Sequence, residues 1–231
     1  MSSPITAKKK GRVDEALIAV HQRLSHGRRI EILAQRIASV IRERHPAGEV
    51  RCLDVGCGDM QIAERVADLA PGTVWTCTDI HELPAGLQDD VRWRKYQKFD
   101  GLHLPFPDRS FDVVLFCDVL HHVQTNAVVL LAEAVRTGSS VIIKDHFEYS
   151  LFSRMVLWAM DFVGNWSYGV SLPKRYFTRQ GFEDIAGKAG LRTERIDTGI
   201  DLYAHIPVAG TILRPAWQFI AVLEPDVGKK R

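Results

Sequence analysis

Cysteine is scarce in this chain: 4 among 231 residues, Cys52, Cys57, Cys77 and Cys117, with no CxxC pair. That excludes the usual zinc-ribbon spacing, and no metal site is expected. All four lie on or beside apolar runs and read as buried, reduced thiols. An excess of one charge is also missing, because 30 basic residues face 28 acidic ones for a net +2. A body so balanced lacks the basic, aromatic-interleaved face that nucleic acid requires, so no nucleic-acid partner is expected. The positive excess sits partly at the ends, in Lys8, Lys9, Lys10 and Arg12 and in Lys229, Lys230 and Arg231. These read as solvated tails, with at most weak peripheral attraction to an anionic membrane. A long apolar run is lacking too. Leu151 to Val163, about 13 residues, carries Arg154 and Asp161 and is too short and too charged to span a bilayer. The N-terminus has no apolar signal core, so a cytoplasmic location is expected. There is no internal repeat or low-complexity stretch.

What is present is alternation. Residues 14–44 repeat apolar side chains at helical spacing, with a break at Ser25-His26-Gly27 and a stop at Pro46 and Gly48. Short β-rich runs then alternate with helical ones. Strands are expected at 50–55, 73–78, 91–96, 111–116 and 139–144, and helices at 61–70 and 126–135. Thr178 reads as the N-cap of a helix to about Ala189, and residues 192–197 and 217–223 as two last strands flanking a long loop. The pattern predicts an α/β fold: a Rossmann-like, seven-stranded, mostly parallel sheet with helices on both faces. A basic tail over 1–12 would precede a single domain over 13–231. Within it, 13–48 would supply N-terminal helices, 50–146 the ligand-binding core, and 147–231 a lid and the C-terminal strands.

Right-handed crossovers bring the C-terminal ends of parallel strands to one edge, where ligands bind. Asp54-Val-Gly-Cys-Gly58, Asp79, Asp100, Cys117-Asp118 and Asp145-His146 all follow expected strands and should meet there. Gly56 and Gly58 permit a tight turn and close approach to a ligand. Asp79, 25 residues beyond Asp54, would stand at the next strand tip, where a carboxylate accepts hydrogen bonds from ribose hydroxyls. Gln61 stands where a dinucleotide fingerprint needs a third small residue, which argues against a dehydrogenase.

Taken together, Asp54-Val-Gly-Cys-Gly58, the Asp100–Val114 stretch DGLHLPFPDRSFDVV and Asp118-Val-Leu-His-His-Val123 resemble class I S-adenosylmethionine-dependent methyltransferases. The similarity is nearest to the ubiquinone/menaquinone-biosynthesis type and related small-molecule enzymes, over about residues 50–145. The resemblance implies S-adenosylmethionine as cofactor. Gly56, Cys57 and Gly58 would line its methionine and ribose, Asp79 would hold the ribose hydroxyls, and Ile80 would pack on the adenine. Asp100 and Gly101 would contact the adenine amino group and ring, with Cys117 and His122 beside the methionine end. Asp59-Met60 depart from the commonest first motif.

Methyl transfer from a sulfonium needs alignment and exclusion of water, and an O or N acceptor also gains from a base. His146, after the fifth strand, is expected to face the acceptor, with His122 and Asp145 as further candidates and His121 a lesser one. The aromatic density between Phe147 and Phe182 suggests a lid or pocket wall for an apolar or aromatic metabolite, or plain core packing. Trp158, Trp166, Tyr168 and Tyr176 are its candidate contacts, and His26 and Arg28 would close the other side. The expected acceptor is a small quinone-, lipid- or natural-product-like molecule, and the protein a monomer or homodimer. An RNA methyltransferase and a non-catalytic cofactor-binding regulator are the alternatives.

Overall fold

A computed structural model describes residues 27–82, 91–123, 125–165, 172–206, 209–226 and 228. His26, Trp166 and Tyr168, the tail over 1–12 and the first part of the helical pattern, before residue 27, lie outside them. The described chain opens with helix α1 (Gly27–Arg44). It continues through β1 (Val50–Val55), α2 (Gln61–Leu69), β2 (Thr73–Asp79), β3 (Tyr96–Lys98) and β4 (Phe111–Cys117). Then come α3 (Ala127–Thr137), β5 (Gly138–His146), α4 (Leu151–Asn165), α5 (Arg179–Lys188), β6 (Leu191–Thr198), the short α6 (Ala209–Ile212) and β7 (Gln218–Pro225).

The strands form one seven-stranded sheet in the order β3-β2-β1-β4-β5-β7-β6. β1 to β5 pair in parallel, and β7 inserts antiparallel between β5 and β6. Strand order reverses between β1 and β4, so a crevice opens beyond their C-terminal ends. The central strands read as continuous apolar runs because both faces are covered. On one face Leu33, Ile37 and Ile41 of α1 and Val66 of α2 pack on Cys52, Val113, Leu115 and Ile142. On the other, Leu130 and Leu131 of α3 and Phe182 of α5 pack on Leu53, Val114, Phe116 and Ile143. Leu33 and Ile37 are fully buried, and truncating either to alanine would cost about 2–5 kcal/mol. Thr178 caps α5 as expected, its hydroxyl accepting the N–H of Gly181.

The structure corrects the sequence in three places. Residues 91–95 form a 3-10 turn, and only Tyr96–Lys98 add a strand. Val91, Arg94 and Lys95 are exposed, while Trp93 and Tyr96 are partly buried against the core. The stretch after β6 is no free loop, because Ile200, Leu202 and Tyr203 are buried with the α1 face of the core. The aromatic stretch divides: Phe147, Phe177 and Phe182 are core, whereas Tyr149, Phe152 and Trp158 are exposed. Phe147 stacks on Phe219 with centroids 3.9 Å apart, which assigns it to packing rather than to a lid.

Candidate active site

Two groups of residues converge on the C-terminal edge of the sheet. The first is the glycine turn after β1. Gly56 has φ 74°, and a Cβ built there would fall 2.5 Å from Val119 Cγ2. Gly58 has φ 53° with nothing within 4 Å of such a Cβ, so the backbone stands open on that side. Met60, itself left-handed at φ 62°, precedes α2 without capping it by side chain. At the start of the helix the Asp59 carboxylate accepts the Gln61 N–H at 3.3 Å.

Asp79 ends β2 and reaches back to this turn. Its carboxylate accepts the Gly58 N–H at 3.0 Å and the His81 N–H at 3.2 Å. Asp54 is buried beside it. Burial and the charges of Asp79 and Asp59 push its pKa up to about 7. Next to Asp79, Ile80 is half exposed, and a Cβ on Gly101 (φ 86°) would lie 3.1 Å from Ile80 Cγ2. The turn, the acidic groups and the apolar ledge stand side by side, as the sequence predicts.

Two residues differ from their expected roles. Cys57 is buried, with its side chain in the core and its thiol held by Cys77, so only its backbone can line a ligand. The carboxylate of Asp100 accepts the N–H groups of Leu102 (2.8 Å) and His103 (2.7 Å) and pairs with the His103 ring. These bonds hold its pKa down to about 2. That carboxylate builds its own loop, and a contact to an amino group would compete with those bonds.

The second group surrounds the end of β5. His121 sits on a 3-10 turn, Leu120–His122, and is 1% exposed. Its Nδ1 lies 2.7 Å from Asp145 Oδ1, and its backbone N–H also reaches that carboxylate at 3.2 Å. Its Nε2 lies 3.3 Å from Asp161 Oδ2 on α4. Burial pushes the imidazolium down, but Asp145 and Asp161 outweigh it and hold the pKa up at about 10. Asp145 is fully buried, and although burial alone would raise it, His121 and His146 keep it below the ordinary carboxylate range. Asp161 also accepts the hydroxyl of Tyr176, which is itself buried.

His146 does not face open space: it is 2% exposed, with Nδ1 3.5 Å from both Asp118 and Asp145. Burial and the nearby Lys144 ammonium hold its pKa below the ordinary value. Lys144 pairs with Asp118 rather than with Asp145. Asp118 has φ 58° and also takes the guanidinium of Arg29. Burial works against its charge, but Lys144, His146 and Arg29 keep its pKa well below the usual range.

Thus Asp145 and His146 meet as expected, but in the interior, where direct contact with a ligand is closed off. His122 and Cys117, at and just after the C-terminal end of β4, are partly buried, and Cys117 packs against the core. Arg28 is exposed, and its neighbour Arg29 is the one that turns inward. Trp158 stacks on Phe162 (centroids 5.4 Å) and is 44% exposed, whereas Tyr176 serves the buried network. Nothing in the sequence singles out Arg29. Asp161 carried one signal, a lone carboxylate in the otherwise apolar run of α4. A groove lined by Glu43, Arg44, Asp112 and Ser139 lies at the opposite strand ends, far from this chemistry.

Residues 53–140 match the family model described as a methyltransferase domain. Over 122 residues the chain is 31% identical to 27-O-demethylrifamycin SV methyltransferase of Amycolatopsis mediterranei. The match covers 49% of this chain and 43% of that protein, so the chain spans less than half of the curated relative's length. The mitomycin 7-O-methyltransferase MmcR superposes with TM-score 0.60 at 17% identity, over 92% of this chain and 56% of that one. Magnesium protoporphyrin IX methyltransferase of Synechocystis, solved with bound SAH, superposes with TM-score 0.55 at 15% identity, over 95% and 90%. The [4+2]-cyclase SpnF shares the fold at TM-score 0.57 and 19% identity, over 84% and 81%.

Proposed function

We propose that this chain, which carries a methyltransferase domain of the class I S-adenosylmethionine-dependent family, methylates a small apolar or aromatic metabolite. One observation carries the reading: the left-handed glycine turn, Asp79 and the Ile80–Gly101 ledge stand together at the strand-order switch. These residues fit the cofactor. Asp79 has lone pairs left for ribose hydroxyls, and the open side of Gly58 admits close approach. Ile80 and Gly101 offer an apolar surface to a purine, and the Asp79 carboxylate suits a cationic ligand. When bound, S-adenosylmethionine supplies a methyl carbon already activated by the sulfonium.

The protein's task is then alignment and removal of water, worth up to about 7–11 kcal/mol. His122 and Cys117, partly buried at the end of β4, are the side chains of this group offered to a bound acceptor. Asp145, His121 and His146 act behind them as positioning residues, fixing the 3-10 turn that carries His122. The α4 helix closes this side through Asp161, and its exposed Trp158 supports an apolar acceptor. The similarity to the 27-O-demethylrifamycin SV enzyme favours an oxygen acceptor on a small molecule. We read the protein as a cytoplasmic enzyme; none of the described helices is long and apolar enough to cross a membrane.

Calorimetry with S-adenosylhomocysteine, followed by methylation of a panel of hydroxylated aromatic compounds, tests this. Micromolar binding and turnover on a phenolic member support it. The absence of binding overturns it, and binding without turnover on any acceptor favours a regulator. Turnover on RNA would replace the acceptor class. The fold alone does not decide the chemistry, as the cyclase SpnF shows.

A further inference from the structure

We propose that His121, His122 and Asp161 form a binding site for one divalent transition-metal ion of the zinc class, with Asp145 orienting His121 from behind. Nitrogen or oxygen atoms of these three residues all lie within 4.8 Å of one another. The Nδ1 of His121 faces a carboxylate oxygen at 2.7 Å, so Nδ1 carries the proton of that bond. Without a metal the ring is an imidazolium held between Asp145 and Asp161, and a metal ion would take the place of the Nε2 proton. The Nε2 atom is buried and has no partner in hydrogen-bond geometry among the described residues.

The nearest carboxylate oxygen to it is Asp161 Oδ2, at 3.3 Å. Two ligand atoms bonded at about 2.0–2.1 Å to a tetrahedral zinc stand about 3.3 Å apart. The separation is long and poorly directed for a hydrogen bond but matches one edge of such a coordination shell. His122 follows on the same 3-10 turn, its ring centroid 4.0 Å from that of His121. It adds the third ligand.

The surroundings have the form that metal sites use. Metal-bound histidines donate their other ring N–H to a carboxylate, and ligating carboxylates are in turn hydrogen-bonded. Asp145 plays the first part toward His121, and the Tyr176 hydroxyl the second toward Asp161. Three protein ligands leave a position open, the arrangement of catalytic rather than structural zinc. The His121–Asp145–His146 group also has metal-like spacing. Asp145 is already committed there to Nδ1 of His121 and to the N–H of His146 at 2.7 Å, so it serves better as the outer partner. No CxxC spacing announces the site, because its ligands come from a turn and from a helix about 40 residues further on.

The proposal deepens the methyltransferase reading, since an ion at this place would receive an acceptor oxygen at its open position. The binding test is independent of turnover. The full chain, stripped with EDTA, is titrated with Co²⁺ and then with Zn²⁺, while S-adenosylhomocysteine binding and circular dichroism are recorded on the same samples. One equivalent of Co²⁺ with visible d–d bands, displaced by Zn²⁺, is expected. His122→Ala and Asp161→Asn should each weaken it at least about tenfold and alter the bands, and Asp145→Asn should weaken it about 10–100-fold. Sub-stoichiometric binding, or binding unchanged in folded His122→Ala and Asp161→Asn, overturns the site. Cofactor binding without metal sinks this inference alone, whereas metal binding without cofactor leaves the site standing and sinks the methyltransferase reading.

Discussion

The imidazole of His121 and the carboxylate of Asp145 meet at 2.7 Å, with side chains 1% and 0% exposed. A second bond from the His121 backbone N–H to the same carboxylate locks the turn after β4 onto the end of β5. Removing the charge of Asp145 would leave the imidazolium with Asp161 alone, at 3.3 Å, in place of two carboxylates. Asp145→Asn should lose about 3–5 kcal/mol of stability in urea denaturation at neutral pH. A loss under about 1 kcal/mol would show that the pair is not a structural clasp.

Asp79 joins the glycine turn to the expected ribose position. Asp79→Ala removes the acceptor for Gly58 and, on the proposed reading, the charge-assisted bonds that a ribose would make to it. Affinity for S-adenosylhomocysteine should fall by at least about tenfold in calorimetry. An unchanged constant would mean that the nucleoside binds elsewhere.

Gly56 has both a left-handed backbone and no room for a methyl group, its built Cβ lying 2.5 Å from Val119 Cγ2. Gly56→Ala should cost about 1–3 kcal/mol and depress cofactor binding. Adding Val119→Ala relieves the overlap but not the strain of φ 74°, so the double variant should recover only part of the loss. Full recovery would assign the whole effect to the side-chain clash.

The pKa of Asp54 is raised from 3.8 to about 7, first by burial and then by Asp79 and Asp59. A raised folded-state pKa means that the unfolded chain releases this proton first. Stability from the neutral carboxyl is therefore full below about pH 4 and lost as pH rises to about 7. Asp54→Asn, which cannot ionise, should lack that component. The difference in melting temperature between variant and wild type should grow in favour of the variant across this window. Parallel curves would show that Asp54 does not titrate there.

Much of this was legible in the sequence. The strand–glycine–helix succession around Asp54 to Gln61 is local: a β-run, two glycines and an amphipathic helix each state their own conformation. The alternation of runs predicts a parallel sheet, and the handedness of crossovers then sends Asp54, Asp79 and Asp145 to one edge without any coordinate. The segment at 91–96 misled because Val91 and Trp93 give a strand-like alternation, yet only contact with an edge decides whether such residues pair.

Tertiary structure alone decided which charges face one another. Burial and partner choice depend on residues brought together from far along the chain: Arg29 on Asp118, Asp161 on His121, Tyr176 on Asp161. His121 and His122 are neighbours in sequence and equal in chemistry, yet one is enclosed between carboxylates and the other stays partly buried. The sequence by itself determined the glycine turn after β1, because backbone conformation is a short-range property. The histidine cluster was decided by packing, because the electrostatic field at a buried side chain is the sum of whatever the fold places around it.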